Sequence, residues 1–186
     1  LRDLPPENII VEPVSRDTAP CVGLAAVLIE RNFPDAVMAV LPADHLIVDS
    51  REFLDCLAAA VQFAWKGSNV VTLGIRPNRP ETGYGYIHVG AMETKSGHNM
   101  IHRVNSFKEK PDQAKAEEFL KAGDYLWNSG MFIWRVDTIQ ALIQKHLPVV
   151  NDILDVIKEA INAGKVISVL ESEFSRMPKI SVDYGI

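Results

Sequence analysis

Ala36-Val37-Met38-Ala39-Val40-Leu41-Pro42-Ala43-Asp44-His45 is the stretch on which the reading of this chain turns. Val37 to Leu41 is a nearly continuous apolar run, which suits a parallel strand buried on both faces better than a half-wet antiparallel one. The run is therefore expected to form a central strand. Pro42 has no N–H to give a ladder, and Asp44 and His45 follow just past the strand's carboxyl end. In open α/β sheets that edge is where ligands bind. A lone Asp after Pro equally serves to organise a turn or cap a helix, so Asp44 becomes a functional candidate only through its neighbours.

Those neighbours alternate between helix and strand patterns. Asn8 to Val11 reads as a short strand, and Glu12 to Pro20 as a polar loop leading into an apolar helix, with Thr18 as N-cap and Pro20 in the first turn. Asp49-Ser50-Arg51-Glu52 resembles a capping box, after which Phe53, Leu54, Leu57, Val61, Ala64 and Trp65 recur on one helix face that Gly67 ends. Asn69 to Ile75 is the next buried strand. Strand, helix, strand, helix, strand in this order predicts an α/β fold, Rossmann-like and doubly wound, with a mixed, mainly parallel sheet.

Four segments carry chemistry. Glu12 lies between a strand and a helix start; it can accept from a ring N–H and an exocyclic amine of a guanine-type edge, or pair with Arg16 and stiffen the loop. Arg76 to Gly90 holds two early prolines, and Gly83 and Gly85 let the backbone run close against a ligand or form a rigid surface turn. Met100 to Phe107 is a strand running into Lys108-Glu109-Lys110-Pro111-Asp112, and Asp112 caps a helix that Gly123 ends. On an extended chain Glu109 and Lys110 point to opposite sides and need not pair; Glu109 suits two vicinal hydroxyls and Lys110 a phosphate. Tyr125 to Trp134 is an aromatic strand interrupted by Asn128-Ser129-Gly130. That polar trio must be satisfied internally or by a ligand, since an unpaired buried amide costs about 1 to 3 kcal/mol. Asn128 is a candidate contact and Gly130 marks a bulge. Helices over Val136 to His146 and Val149 to Ala163, separated by Pro148, read as packing elements.

Composition sets the outer limits. The chain has 186 residues, 47% hydrophobic and 23% charged, enough for one sizeable core, so one domain is expected. The net charge of -5, without a basic tract, argues against a nucleic-acid or anionic-membrane partner. No apolar stretch reaches the roughly 18 to 20 residues a bilayer needs. Cys21 and Cys56 match no metal or redox spacing and are expected to be buried thiols in a reducing cytoplasm.

Taken in order, EPVSRDTAP, LPADH, TLGIRPNRPETGYGYI, FKEKPD, YLWNSGMFIW and SVDYGI resemble the mannose-1-phosphate guanylyltransferase family of sugar-nucleotidyltransferases, over almost the whole chain. The resemblance implies attack by the phosphate of mannose 1-phosphate on the α-phosphorus of GTP, giving GDP-mannose and pyrophosphate. It further implies that Asp44 is one of two acidic ligands of a Mg²⁺ ion, and that Glu12, Arg16, Asp17 and Thr18 surround guanine. On the sugar side it assigns backbone contact to Gly85, hydroxyl contacts to Glu109 and Asn128, and the phosphate to Lys110. A homo-oligomer is compatible with it. Asp183 matches a family motif without a defined role.

Two departures accompany the matches. The family's Gly-rich signature, of the form G-G-x-G-x-R-L followed by a Pro-Lys segment, and its second metal-binding Asp are absent from this sequence. The chain is therefore expected to be an internal part of a nucleotidyltransferase domain, truncated at both ends and inactive by itself. Asp17 also stands where the family usually has Asn, which adds a negative charge beside the base.

Overall fold

The computed structural model describes residues 4–164 and 166–186. In chain order the elements are helix α1 (Thr18–Glu30), strand β1 (Val37–Val40), helix α2 (Ser50–Trp65), strands β2 (Val71–Ile75), β3 (Tyr86–Ser96) and β4 (Asn99–Lys108), helix α3 (Gln113–Ala122), strand β5 (Tyr125–Arg135), and helices α4 (Val136–His146), α5 (Pro148–Asn162), α6 (Val166–Phe174) and α7 (Val182–Gly185). They fall into two units, one formed by Val37–Arg135 and the other by Leu1–Ala36 with Val136–Ile186.

The unit Val37–Arg135 holds all five strands of the sheet. Its organising strand is β5, eleven residues with nearly every second one buried. Ile133 pairs with both Ala39 of β1 and Val71 of β2, and Trp127 with both Ile75 of β2 and Tyr86 of β3. A strand has only two edges, so β2 takes one edge of β5 while β1 and β3 share the other, at opposite ends. Between Thr72↔Phe132 and Gly74↔Asn128 two steps of β2 face four of β5, which places a bulge in β5 at Ser129 to Met131. Gly130 sits there with φ 69°, a conformation costly to any residue with a Cβ.

Helix α2 covers this sheet through Leu57, Ala60, Val61 and Ala64, which pack with Val37, Val71, Leu73 and Ile133. Helix α3 covers the other end, where Ala116 and Phe119 meet Tyr86, Trp127 and Tyr125. Both helices start as the sequence predicts: Asp49 accepts the N–H of Glu52 at 2.9 Å and Asp112 that of Lys115 at 2.8 Å. Gly123 closes α3 in the left-handed conformation at φ 77°.

Three expectations about this unit are corrected. Every ladder between the described residues is antiparallel, not mainly parallel. β1 and β2 run in the same direction, but β5 is inserted between them and runs against both. Their apolar runs suggested burial on both faces, yet Ala39 of β1 and Gly74 and Ile75 of β2 are exposed and no residue of β2 is fully buried; an apolar run reports neither its burial nor the direction of its neighbour. The central place belongs to β5 rather than to Val37–Val40, whose four residues pair with β5 alone. On α2, Leu54 and Trp65 are exposed, and the Trp65 ring lies under the Arg135 guanidinium, 5.7 Å from its centroid.

The other unit is helical among its described residues. Helix α1 buries Val22, Gly23, Leu24, Ala26 and Val27, and a Cβ on Gly23 would lie 2.6 Å from Leu154 Cδ1, so α5 crosses α1 at a glycine. Helix α5 buries Val150, Ile153, Leu154, Ile157 and Ile161 at helical spacing. At the end of α1, Glu30 accepts from Gln140 of α4 at 3.0 Å and Lys158 of α5 at 2.5 Å. The expected strand at Asn8 to Val11 does not form: Pro6–Asn8 is a 3-10 turn, and Ile9, Ile10 and Val11 are exposed. Apolar content alone cannot make a strand where no neighbouring strand completes its hydrogen bonds.

Candidate functional site

In the unit Val37–Arg135 the site is built around Gly85. The loop before it is held by Glu81, whose carboxylate accepts from Gly83 N at 3.1 Å and from the Arg79 guanidinium at 3.2 and 3.3 Å. The Gly83 N–H, and after it Arg79, hold the Glu81 carboxyl below the usual range against partial desolvation. The Glu81 N–H in turn donates to the Tyr86 hydroxyl at 3.0 Å. Arg79 lies over the Trp127 ring at 5.2 Å and Tyr84 meets the same ring edge-on at 5.3 Å. Two aromatic rings and a carboxylate thus fix the loop, and Gly85 emerges from it buried.

Gly85 is a glycine for a steric reason. A Cβ there would lie 2.6 Å from Glu109 Oε2 and 2.9 Å from Phe107 Cζ. Its carbonyl accepts the Asn128 N–H at 2.8 Å, and the neighbouring Tyr84 carbonyl accepts the Lys110 N–H at 3.3 Å. Gly85, Glu109, Lys110 and Asn128 therefore come together. Glu109 and Lys110 also form an ion pair at 3.5 Å, which corrects the expectation that they diverge. Lys110 has φ 43°, so the chain is no longer extended there and the alternation of sides fails. The carboxylate of this pair is the inner partner, 18% exposed, while the ammonium is 65% exposed.

The polar trio of β5 is engaged within the fold. Ser129 Oγ donates to the Leu73 carbonyl at 2.6 Å and accepts from Met131 N at 3.2 Å. Asn128 Oδ1 accepts from Gly130 N at 3.2 Å and lies 3.3 Å from Thr72 Oγ1. A Cβ on Gly130 would touch Pro42 Cγ at 3.6 Å, so the loop that carries Asp44 leaves β1 beside the bulge. Asp44 itself is in an exposed turn. Among the described residues no group of three or more His, Cys, Asp or Glu side chains could hold a metal. An isolated exposed carboxylate fits Mg²⁺ in one way, as a single protein ligand completed by substrate phosphates and water.

The purine-side candidates lie in the other unit. Arg16 donates from Nη2 to the Ser175 carbonyl rather than pairing with Glu12, and its carbonyl accepts from Ile180 N at 3.3 Å. Asp17, not Thr18, is the N-cap of α1: its carboxylate accepts the Thr18 N–H at 2.8 Å. It does so at φ 68° and ψ -173°, a region nearly confined to glycine that costs about 1 to 3 kcal/mol. Thr18 Oγ1 accepts from Val182 N at 2.8 Å, and Ser181 Oγ from Asp183 N at 3.2 Å. The loop of residues 12–18 is thus fastened to the segment that carries Asp183. Glu12 lies against Cys21; desolvation, then the hydrogen bond to Glu12 and its charge, push the Cys21 thiol up to about 12. Neither cysteine is buried as expected, since Cys21 is exposed and Cys56 half-buried.

Sequence reasoning did not single out Thr72, Arg79, Glu81 or Phe107. Their signal is contact across strands and within a loop, which spacing along the chain does not carry.

Comparison with known proteins agrees with this architecture. The family model described as nucleotidyl transferase matches residues 5–174. Mannose-1-phosphate guanylyltransferase of Klebsiella pneumoniae is 44% identical over 183 residues, covering 96% of this chain and 38% of the relative. The alginate biosynthesis protein AlgA of Pseudomonas aeruginosa is 38% identical over 187 residues, covering 100% of this chain and 38% of the relative. The crystal structure of mannose-1-phosphate geranyltransferase from Thermus thermophilus superposes with a TM-score of 0.79 at 38% identity, over 95% of this chain and 48% of that one. That of mannose-6-phosphate isomerase from Helicobacter pylori gives 0.74 at 25% identity, over 93% and 64%. The chain spans about 38% of the length of the curated relatives it matches. Matched by the family model over most of its length, the chain belongs to the nucleotidyl transferase family.

Proposed function

We propose that the protein carrying this chain transfers a guanylyl group from GTP to mannose 1-phosphate, forming GDP-mannose and pyrophosphate. The observation that carries this reading is the packing of the Glu109 carboxylate on the bare backbone of Gly85, with Lys110 and Asn128 beside it. A carboxylate and a carboxamide on a glycine floor suit the hydroxyl-rich face of a hexose, and an adjacent exposed ammonium suits its phosphate.

In the proposed reaction an oxygen of the sugar phosphate forms a bond to the α-phosphorus of GTP. The bond from that phosphorus to the oxygen leading to the β-phosphate breaks, and pyrophosphate leaves with the electron pair. Two polyanions must meet, so neutralisation and alignment carry the catalysis and no covalent enzyme intermediate is needed. Lys110 neutralises the attacking phosphate, while Glu109 and Asn128 fix the sugar through its hydroxyls. Asp44 would hold Mg²⁺, which supplies charge to the phosphates when bound. Glu12, Arg16, Asp17 and Thr18 take the purine side, where Arg16 and Thr18 shape the loop through its attachment to Ser175 and Val182. With this reading go a cytoplasmic location and a place among small-molecule enzymes rather than nucleic-acid or membrane binders. No helix of the described residues is long and apolar enough to cross a membrane.

The test is pyrophosphate release by the full-length protein with each of four nucleoside triphosphates against a panel of sugar 1-phosphates, in Mg²⁺. GTP with mannose 1-phosphate should give the highest kcat/KM. Another base or sugar in first place would reassign the substrate, and binding without turnover would make the protein a sensor of sugar nucleotides instead.

A further inference from the structure

The floor at Gly85 is backbone without a side chain of its own to locate it, and glycine has the widest choice of φ and ψ of any residue. On the downstream side its place is set by the Asn128 N–H, which the Gly85 carbonyl accepts at 2.8 Å, and by the Lys110 N–H, which the Tyr84 carbonyl accepts at 3.3 Å. On the upstream side stands Glu81, bonded in three directions. One carboxylate oxygen accepts the Gly83 N–H at 3.1 Å, and the other accepts from Arg79 Nε and Nη2 at 3.3 and 3.2 Å. The Glu81 N–H donates to the Tyr86 hydroxyl at 3.0 Å. Tyr86 is fully buried, its ring centroid 5.3 Å from that of Phe119 on α3. Gly83 and Tyr86, which flank Tyr84 and Gly85, are therefore both bonded to residue 81. A shift of the Gly85 backbone toward or away from Glu109 strains one of these bonds.

We propose that Glu81 is a positioning residue for the sugar site, fixing where the Gly85 backbone lies against the Glu109 carboxylate. The proposal rests on the reading of Gly85 and Glu109 as the sugar floor. It assigns to a loop side chain a part in affinity for the sugar phosphate but not for the nucleotide.

The experiment compares full-length parent, Glu81→Ala and Glu81→Asp proteins. Glu81→Ala should raise KM for mannose 1-phosphate about three- to tenfold, the worth of one hydrogen bond, and leave KM for GTP unchanged. An aspartate accepts readily from the N–H two residues on, so Glu81→Asp keeps the Gly83 bond and should stay within about twofold of the parent. A folded Glu81→Ala protein with unchanged sugar KM, an equal rise for GTP, or no rescue by aspartate would overturn the proposal. Should alanine prevent folding, Glu81→Gln serves in its place: one carboxamide oxygen cannot serve both Gly83 and Arg79, so sugar KM should still rise, and an unchanged value would overturn the proposal.

Backbone amide signals in ¹⁵N-glycine-labelled protein without substrate give a readout independent of the reaction. The Gly83 N–H, ahead of Arg79 and Thr82, holds the Glu81 carboxyl below the usual range against partial desolvation. The Gly83 signal should therefore titrate below the ordinary glutamate value of about 4.3 in the parent and cease to do so in Glu81→Ala. The Gly85 signal should move in Glu81→Ala and hold its place in Glu81→Asp; an unmoved Gly85 signal in the alanine protein would refute the positioning role. A parent protein inert toward mannose 1-phosphate would overturn the functional reading, while these signals still decide whether Glu81 sets the Gly85 backbone.

Discussion

Gly85 shows how one missing atom defines a site. With Glu109 Oε2 at 2.6 Å and Phe107 Cζ at 2.9 Å from where a Cβ would be, alanine must push the carboxylate, the ring or the loop aside. Gly85→Ala should cost about 1 to 3 kcal/mol in urea unfolding, as overpacking does, and weaken mannose 1-phosphate binding with it. Glu109→Gln keeps the shape and removes the charge. It should raise KM for the sugar phosphate without altering the choice of nucleotide, in steady-state kinetics of the full-length protein. Asp44→Asn differs from both, because Asp44 is exposed and its exchange should shift stability by no more than about 0.5 kcal/mol. Turnover should nonetheless be lost; an unchanged rate would remove Asp44 as the metal ligand. The meeting of Gly85, Glu109 and Asn128 was legible because each lies where a strand pattern breaks. The Glu109–Lys110 pair was not, since it depends on a positive φ that no residue type at Lys110 announces.

At the scale of elements, local signals and long-range ones separate. Asp49, Asp112 and Gly123 mark helix ends through bonds made within a few residues, and each is found where its type suggests. Strand order is different in kind. The antiparallel insertion of β5 between β1 and β2 joins residues 37–40 and 71–75 to 127–135, and an apolar run carries no mark of which partner it will find. The same limit applies to Asn8 to Val11. An element-scale prediction concerns the end of α1. The Lys158 hydrogen bond, and after it that of Gln140, holds the Glu30 carboxyl below the usual glutamate range. The folded state therefore favours the carboxylate, and the added stability is present above the ordinary glutamate value of about 4.3. It is lost as pH falls through the lowered folded value. Helical circular dichroism followed through urea unfolding, at several pH values between about 3 and 7, should show this loss in the parent. In Glu30→Gln that part of the pH dependence should disappear, and an unchanged acid limb would exclude Glu30 as its source.

For the whole molecule the division into two units gives the proposal its most direct test. Gly85, Glu109, Lys110 and Asn128 all lie in Val37–Arg135, whereas Glu12, Arg16, Asp17 and Thr18 all lie in the unit formed by Leu1–Ala36 and Val136–Ile186. A ligand bound only to the native state slows amide exchange where it closes local openings. If the sugar and purine assignments are right, mannose 1-phosphate alone should slow exchange in peptides that contain Gly85, Lys110 and Asn128, whose N–H or C=O groups already tie the floor of that site. GTP with Mg²⁺ should slow exchange instead in peptides spanning residues 12–19, and in those around Ile180 and Val182, whose N–H groups are bonded to that loop. Hydrogen-exchange mass spectrometry of the full-length protein with each ligand in turn separates the two patterns. Protection of the 12–19 loop by the sugar phosphate, with none at Gly85 and Asn128, would reverse the assignment of the units and with it the roles given to Glu12 and Glu109.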